Sequence, residues 1–219
     1  MKTSEIAAIP FGWGSALRHR KIFHPAGIVA AGTLERIAPE RTGVPLGSGP
    51  VTARVSKAIG LPGSLPDITG LAWRMSTEEH RIWDLLLASV AGGALSRVLL
   101  RPIGSWSEAT FSTLMPLKVD GGAWWVRARI TTPIADRGLS LDVIARLVAD
   151  GGLSVLVEQA RGAADFQPLA QLTLDQLTPR EMSFDPIRNE APGVELMPGW
   201  LTDLRRAAYR RSREGRARE

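Results

Sequence analysis

The sequence predicts a β-rich α+β fold, an antiparallel β-barrel with added helices, and three observations predict it. About seven apolar or alternating segments lie between residues 28 and 174, separated by turn-forming Gly, Pro and Asp. One mid-chain segment, 140–149, has helical spacing, with Gly151 and Gly152 placed to end it. A second helix is expected at the C-terminal end, over about 199–215. Many strands with one internal and one terminal helix suggest a barrel with helical additions.

The elements follow in order. Residues 28–37 (IVAAGTLERI) come after a His-Pro pair and read as a largely buried strand. Residues 51–56 alternate and read as a second strand, and 68–75 as a third behind the turn-rich LPGSLPD. Residues 96–102 (SRVLLRP) and 124–132 (WWVRARITT) follow, the latter alternating around Arg127 and Arg129. Trp124 and Trp125 cannot both face inward on a regular strand. Residues 153–160 and 168–174 complete the set. No internal repeat is present, and the only biased segment is the arginine-rich end.

Composition bounds the function. The 219 residues suffice for one substantial core and are too few for two full-sized domains with a linker, so 1–219 is read as one domain. With no cysteine, disulfides, thiolate nucleophiles and Cys-ligated zinc are excluded, which fits a cytoplasmic protein. The opening MKTSEIAAIPFGWG lacks the basic and apolar regions of a signal peptide. No apolar run reaches the roughly 18–20 residues of a membrane span. The longest candidate, 85–100, is interrupted by Gly92, Gly93 and Arg97. The net charge of +5 is equalled by the last fifteen residues alone, where seven arginines face Glu214 and Glu219. Such a tail can grip nucleic acid or an anionic membrane, or it can serve an anionic cofactor.

Within that tail, Arg205, Tyr209, Ser212 and Arg216 are spaced by four, three and four residues, which puts them on one face of a helix. Tyr209 is the only tyrosine. A phenol with a pKa near 10 binds ferric iron as phenolate, and a guanidinium one turn away favours that form. Arg216, about 10 Å further along by the helical rise, could meet a haem propionate. A plain solvated basic helix satisfies the same spacing.

The order of further motifs resembles the haem catalase superfamily. Phe184-Asp185-Pro186, then Pro192-Gly193-Val194, then Arg205-x-x-x-Tyr209-x-x-Ser212-x-x-x-Arg216 look like the family's proximal segment. Residues 20–27 (RKIFHPAG), running to Gly32-Thr33, look like its distal-histidine strand. Val51-Thr52-Ala53-Arg54-Val55-Ser56, Asp67-x-x-Gly70-Leu71-Ala72, Trp83-Asp84-Leu85 and Arg101-Pro102 resemble further family motifs in the same order. The resemblance is collinear from about residue 20 to 216. It implies a catalase-like barrel with a C-terminal haem-ligand helix, and haem, of b type, held by Tyr209, as tyrosine holds it in catalase. It further implies His24 as acid–base catalyst supported by Ser56, with Arg54, Arg216, Arg205, Ser212 and Lys21 around the cofactor. His19 and His80 read as surface residues.

Two departures qualify what the resemblance implies. Ala88 stands where the family places an asparagine that hydrogen-bonds peroxide, unless Ser89 takes that place by a one-residue slip in register. Losing one positioned donor costs about 2.7–4 kcal/mol of transition-state stabilisation in comparable sites. The chain also ends ten residues after Tyr209, without the long wrapping segment of the large enzymes. The expected function is therefore a small haem-dependent peroxidase acting on hydrogen peroxide or lipophilic organic hydroperoxides, with weak or no catalase activity. Hydroperoxide isomerase or dehydratase chemistry on the same haem is a variant of that expectation. The alternatives are a catalase-like haem-binding or scaffold protein without fast turnover, and a protein without haem whose arginine tail meets an anionic partner. An arginine on a mid-barrel strand, Arg54, speaks against nucleic acid as the partner. A homo-oligomer is left open.

Overall fold

The computed structural model describes residues 26–92 and 97–197. Strand-forming segments with alternate residues buried dominate it. In chain order they are β1 (Ala26–Arg36), β2 (Gly49–Lys57), β3 (Thr69–Ser76), β4 (Ile82–Ser89), β5 (Thr110–Ser112), β6 (Leu117–Val119) and β7 (Gly122–Ile130). Helix α1 (Leu141–Asp150) follows, then β8 (Leu153–Arg161), β9 (Gln167–Thr178) and β10 (Val194–Leu196). A 3-10 turn spans Trp106–Glu108.

Every ladder between these strands is antiparallel. The order β5-β4-β3-β2-β1-β9-β8 closes on itself because β7 pairs with both β5 and β8, which makes an eight-stranded barrel. Closure removes the sheet edges that an open sheet would expose. Strands β6 and β10 extend the sheet sideways from the start of β7. Glycine permits one close approach in the wall: a Cβ on Gly32 would stand 1.9 Å from Thr173 O, beside the register shift where β1 meets β9.

The expected helix is α1. Ser140 caps its N-terminus by accepting from the Asp142 N–H at 3.2 Å, and the Gly151 N–H closes the C-terminus onto Leu147 O. Its buried side chains are Val143, Ile144 and Val148. Trp106 Nε1 donates to Ser140 O at 2.9 Å and ties the 3-10 turn to the start of this helix. Among the described residues no helix is long and apolar enough to cross a membrane.

The strand expected over 96–102 is a correction. Arg97 and Val98 lie in a turn, and the rest of the segment makes only an isolated Val90–Leu100 bridge. The lateral place beside β4 is taken by β5, so Val98, Leu99 and Leu100 stay exposed despite their apolar run. Conversely 82–89, whose apolar residues are nearly continuous, is the full strand β4. Trp83, Leu85 and Leu87 enter the core, while Asp84 faces outward yet is buried. Trp124 packs against the core, and Trp125 takes the opposite face of β7, as strand geometry requires.

Candidate functional site on the outer barrel face

An eight-stranded barrel has an interior just wide enough for side chains. Here Leu34, Ala53, Trp73, Leu85, Phe111, Val126, Val155 and Leu172 share one buried core within it. The interior is therefore filled by side chains, and strand parity identifies the residues that face outward.

One row of cross-strand partners runs over the outer face of the first five strands of the wall. Gly27 pairs with Ser56, Ser56 with Gly70, Gly70 with Ala88, and Ala88 with Ser112. No side chain in this row is longer than a hydroxymethyl group. The next row along the strands holds Val29, Arg54, Ala72 and Leu86. Arg54 lies close over Gly27: a Cβ there would stand 2.7 Å from its Nε and 2.9 Å from both Ser56 Cβ and Val55 O. Glycine at 27 thus leaves the room that the guanidinium and the serine occupy. Ser56 Oγ lies 3.5 Å from Gly70 O, at the limit of a hydrogen bond.

One further row along, Arg74 pairs with Asp84 across β3 and β4. The Asp84 carboxylate accepts from Arg74 Nε and Nη2, both at 2.7 Å. It also accepts from the Asp185 N–H and from Asn189 Nδ2, both at 2.8 Å. The Asp84 N–H donates to Asn189 O at 2.9 Å. Arg74 Nη2 further donates to Ser183 O at 3.0 Å, and its guanidinium lies 5.6 Å from the Phe184 ring centroid. Donating to the Asp84 carboxylate raises the arginine's pKa above its ordinary value. Trp83-Asp84-Leu85 and Phe184-Asp185-Pro186, a hundred residues apart in sequence, are thereby joined.

The row changes character where it leaves β5. Ser112 pairs with Arg127, and Arg127 with Glu158. Glu158 accepts from Arg127 at 2.9 and 3.0 Å and from Arg129 at 2.9 and 3.2 Å. Burial opposes its ionisation, but the hydrogen bonds and charges of both arginines outweigh burial and hold its carboxyl below the usual range. The Phe166 ring has the Arg127 guanidinium 4.0 Å and the Arg97 guanidinium 4.8 Å from its centroid.

The structure brings together Arg54, Ser56 and Ala88, and it decides the register at the last of these. Ala88 faces outward in the small-residue row. Ser89 points inward, fully buried, accepting from the Thr69 N–H at 3.1 Å and donating to Arg101 O at 2.7 Å. Ser89 therefore does not supply a donor on the outer face. Asp67, from the Asp67-x-x-Gly70 motif, accepts from the N–H groups of Ile59, Gly60 and Leu61 and orders that turn. His80 is exposed. His24, Lys21, Arg205, Tyr209, Ser212 and Arg216 lie outside the described residues, as does His19.

Sequence reasoning missed the Arg74–Asp84–Asn189 and Glu158–Arg127–Arg129 clusters. The signal available was an acidic residue on one strand and arginines of matching parity on another, which becomes legible only with the register. Among the described residues no group of three or more His, Asp or Glu is placed to hold a metal ion. Compared with protein-family models and with curated proteins, the chain matches none.

Proposed function

We propose that the chain is a catalase-like, haem-dependent peroxidase-type enzyme with weak or no disproportionation of hydrogen peroxide. The observation that supports this reading is the shared outer face on which Ser56 and Ala88, from two separate stretches of the resemblance, stand in one row of small residues with Gly27 and Gly70, Arg54 lying beside it. No bulky side chain rises from the row, a condition that close approach of a planar ligand would require. A guanidinium beside it suits a carboxylate on the ligand's rim.

In this reading Tyr209 would hold the iron as phenolate, Arg205 would favour that form, Arg54 and Arg216 would meet propionates, and Lys21 and Ser212 would line the cofactor. When bound, haem would supply a redox-active iron able to activate peroxide. His24 would accept a proton from peroxide and return it to the leaving oxygen, with Ser56 orienting the imidazole. Ala88 contributes no hydrogen bond, so a polar peroxide gains little there. Val29, Ala72 and Leu86 in the adjoining row favour an organic hydroperoxide over hydrogen peroxide. The missing donor at Ala88 also favours a second reading, a haem-binding protein without fast turnover.

The test is the visible spectrum of protein expressed with haem supplied, beside Tyr209→Phe. A Soret band with a high-spin ferric tyrosinate signature, lost in the variant, is the expected result. Absence of the band in the wild type, or an unchanged spectrum in Tyr209→Phe, overturns the reading. Turnover of cumene hydroperoxide by the haem-loaded wild type then separates the enzyme from the slow haem binder.

A further inference from the structure

Four polar side chains collect at one end of the barrel, where β2 turns into β3. Lys57 and Thr69 are cross-strand partners, and they continue the core pairs Ala53–Trp73 and Val55–Leu71, so both face inward. The Thr69 N–H meets Ser89 on β4, and Asp67 belongs to the connection between β2 and β3. All four are buried: Lys57 is 6% exposed, Asp67 1%, and Thr69 and Ser89 0%.

Buried polar groups are normally paired, and a buried charge costs most when it is not. Two of the four are satisfied. Asp67 accepts from the N–H groups of Ile59, Gly60 and Leu61. Ser89 accepts from the Thr69 N–H and donates to Arg101 O. The other two are not. The Lys57 ammonium has three N–H donors, and among the described residues it gives one, to Leu61 O. None of the ion pairs among the described residues includes it. Thr69 Oγ1 is buried without any hydrogen-bond partner. Cross-strand partners hold their Cβ atoms about 5 Å apart. A cation with spare donors and an unused hydroxyl therefore stand on adjacent strands, and both lack a negatively charged acceptor.

We propose that this end of the barrel binds a small anion, held by the Lys57 ammonium and the Thr69 hydroxyl beneath the connection that Asp67 orders. Burial of both groups limits the ligand to a few atoms, such as a halide or one small oxyanion. Bound there, it neutralises the buried charge, gives the hydroxyl its partner, and makes the stability of the barrel depend on the anion present. The site lies inside the wall and is independent of the haem reading.

The experiment is urea unfolding of the full chain in sodium chloride, formate or phosphate, each against sodium gluconate at the same ionic strength. Gluconate is too bulky for a buried site. Lys57→Met keeps the length of the side chain without its charge, and Thr69→Val keeps the shape without the hydroxyl. Lys118→Met, which removes an exposed lysine paired with Glu195, controls for net charge. Far-UV circular dichroism verifies that each variant keeps the barrel.

In at least one of the three small anions the wild-type midpoint is expected to rise saturably, by about 1 M urea at high occupancy. Lys118→Met should keep that rise, Lys57→Met should lose it, and Thr69→Val should lose most of it. Thr69→Val also carries a test of sign. In gluconate it should be at least as stable as the wild type, since it removes an unpaired buried hydroxyl. In the binding anion it should be the less stable of the two. If Lys57→Met does not fold, that reversal in Thr69→Val decides alone. No rise in any of the three anions, or the same rise in wild type and Thr69→Val, overturns the proposal.

Discussion

The row that circles the outside of the barrel has two ends that handle the same surface in opposite ways. At the β1–β4 end, Gly27, Ser56, Gly70 and Ala88 carry only small side chains, and Ser56 and Gly70 are buried. At the β7–β8 end, Arg127, Glu158 and Arg129 fill it with charges bonded to one another, and Phe166 lies against Arg97 and Arg127. Both ends carry arginines on strands, so the presence of a strand arginine does not identify a site. The surroundings do. Arg127 and Arg129 converge on one nearly buried carboxylate, and their job is accounted for within the wall. Arg54 has Val29 and Ala72 as its cross-strand neighbours and lies over a glycine. The charged end is closed by long side chains bonded to one another, whereas the row at the other end holds none longer than a hydroxymethyl group.

The largest expected effect lies at the charged end. Replacing Glu158 with Leu leaves two arginines facing each other without their acceptor. It should lower stability by about 3 kcal/mol, the cost of breaking a buried pair. Urea unfolding measures this, and a triple change of Glu158, Arg127 and Arg129 to Leu should recover much of the loss. A negligible loss in the single variant would break the contrast between the two ends.

Next comes the small end. Ala88→Asn places an amide in the row of small residues, and on the haem reading it should raise hydrogen peroxide turnover by about 100-fold. Stopped-flow oxygen release checks this. No gain, with haem still bound, would mean that Ala88 does not face the reacting atoms.

The smallest effect is one of pH. The folded-state pKa of Glu158 is depressed, so its stabilisation is present above the unfolded value of about 4.3 and is lost as pH falls through the folded value. The stability gap between wild type and Glu158→Leu should therefore be constant near neutrality and narrow below about pH 4. A gap that stays constant to pH 3 would show that the carboxylate is not held low by its arginines.

How much was legible beforehand follows from periodicity. Residues 51–56 and 124–130 alternate, and both are strands, because one face meets the core and the other does not. Residues 140–149 carry helical spacing with glycines after, and α1 occupies all but one residue of that stretch. Residues 82–89 hid as a strand because Leu86 and Ala88 on the outer face are as apolar as the residues facing inward. Residues 96–102 misled for the converse reason, since their apolar side chains are exposed in a turn and a bridge. The three-residue strands β5, β6 and β10 are too short for any period to show.

By itself, the sequence determined the class of fold, the mid-chain helix with its glycine stop, the absence of cysteine chemistry and the basic character of the C-terminal end. These are local properties, carried by the spacing and type of neighbouring residues. Only the tertiary structure decided that Ala88 rather than Ser89 faces outward, that Asp84 clamps residues 183–189, and that Glu158 neutralises Arg127 and Arg129. Each of those depends on strand register, where a shift of one residue reverses every side chain. Register is set by contacts between segments far apart in the chain, and so by the closed barrel as a whole.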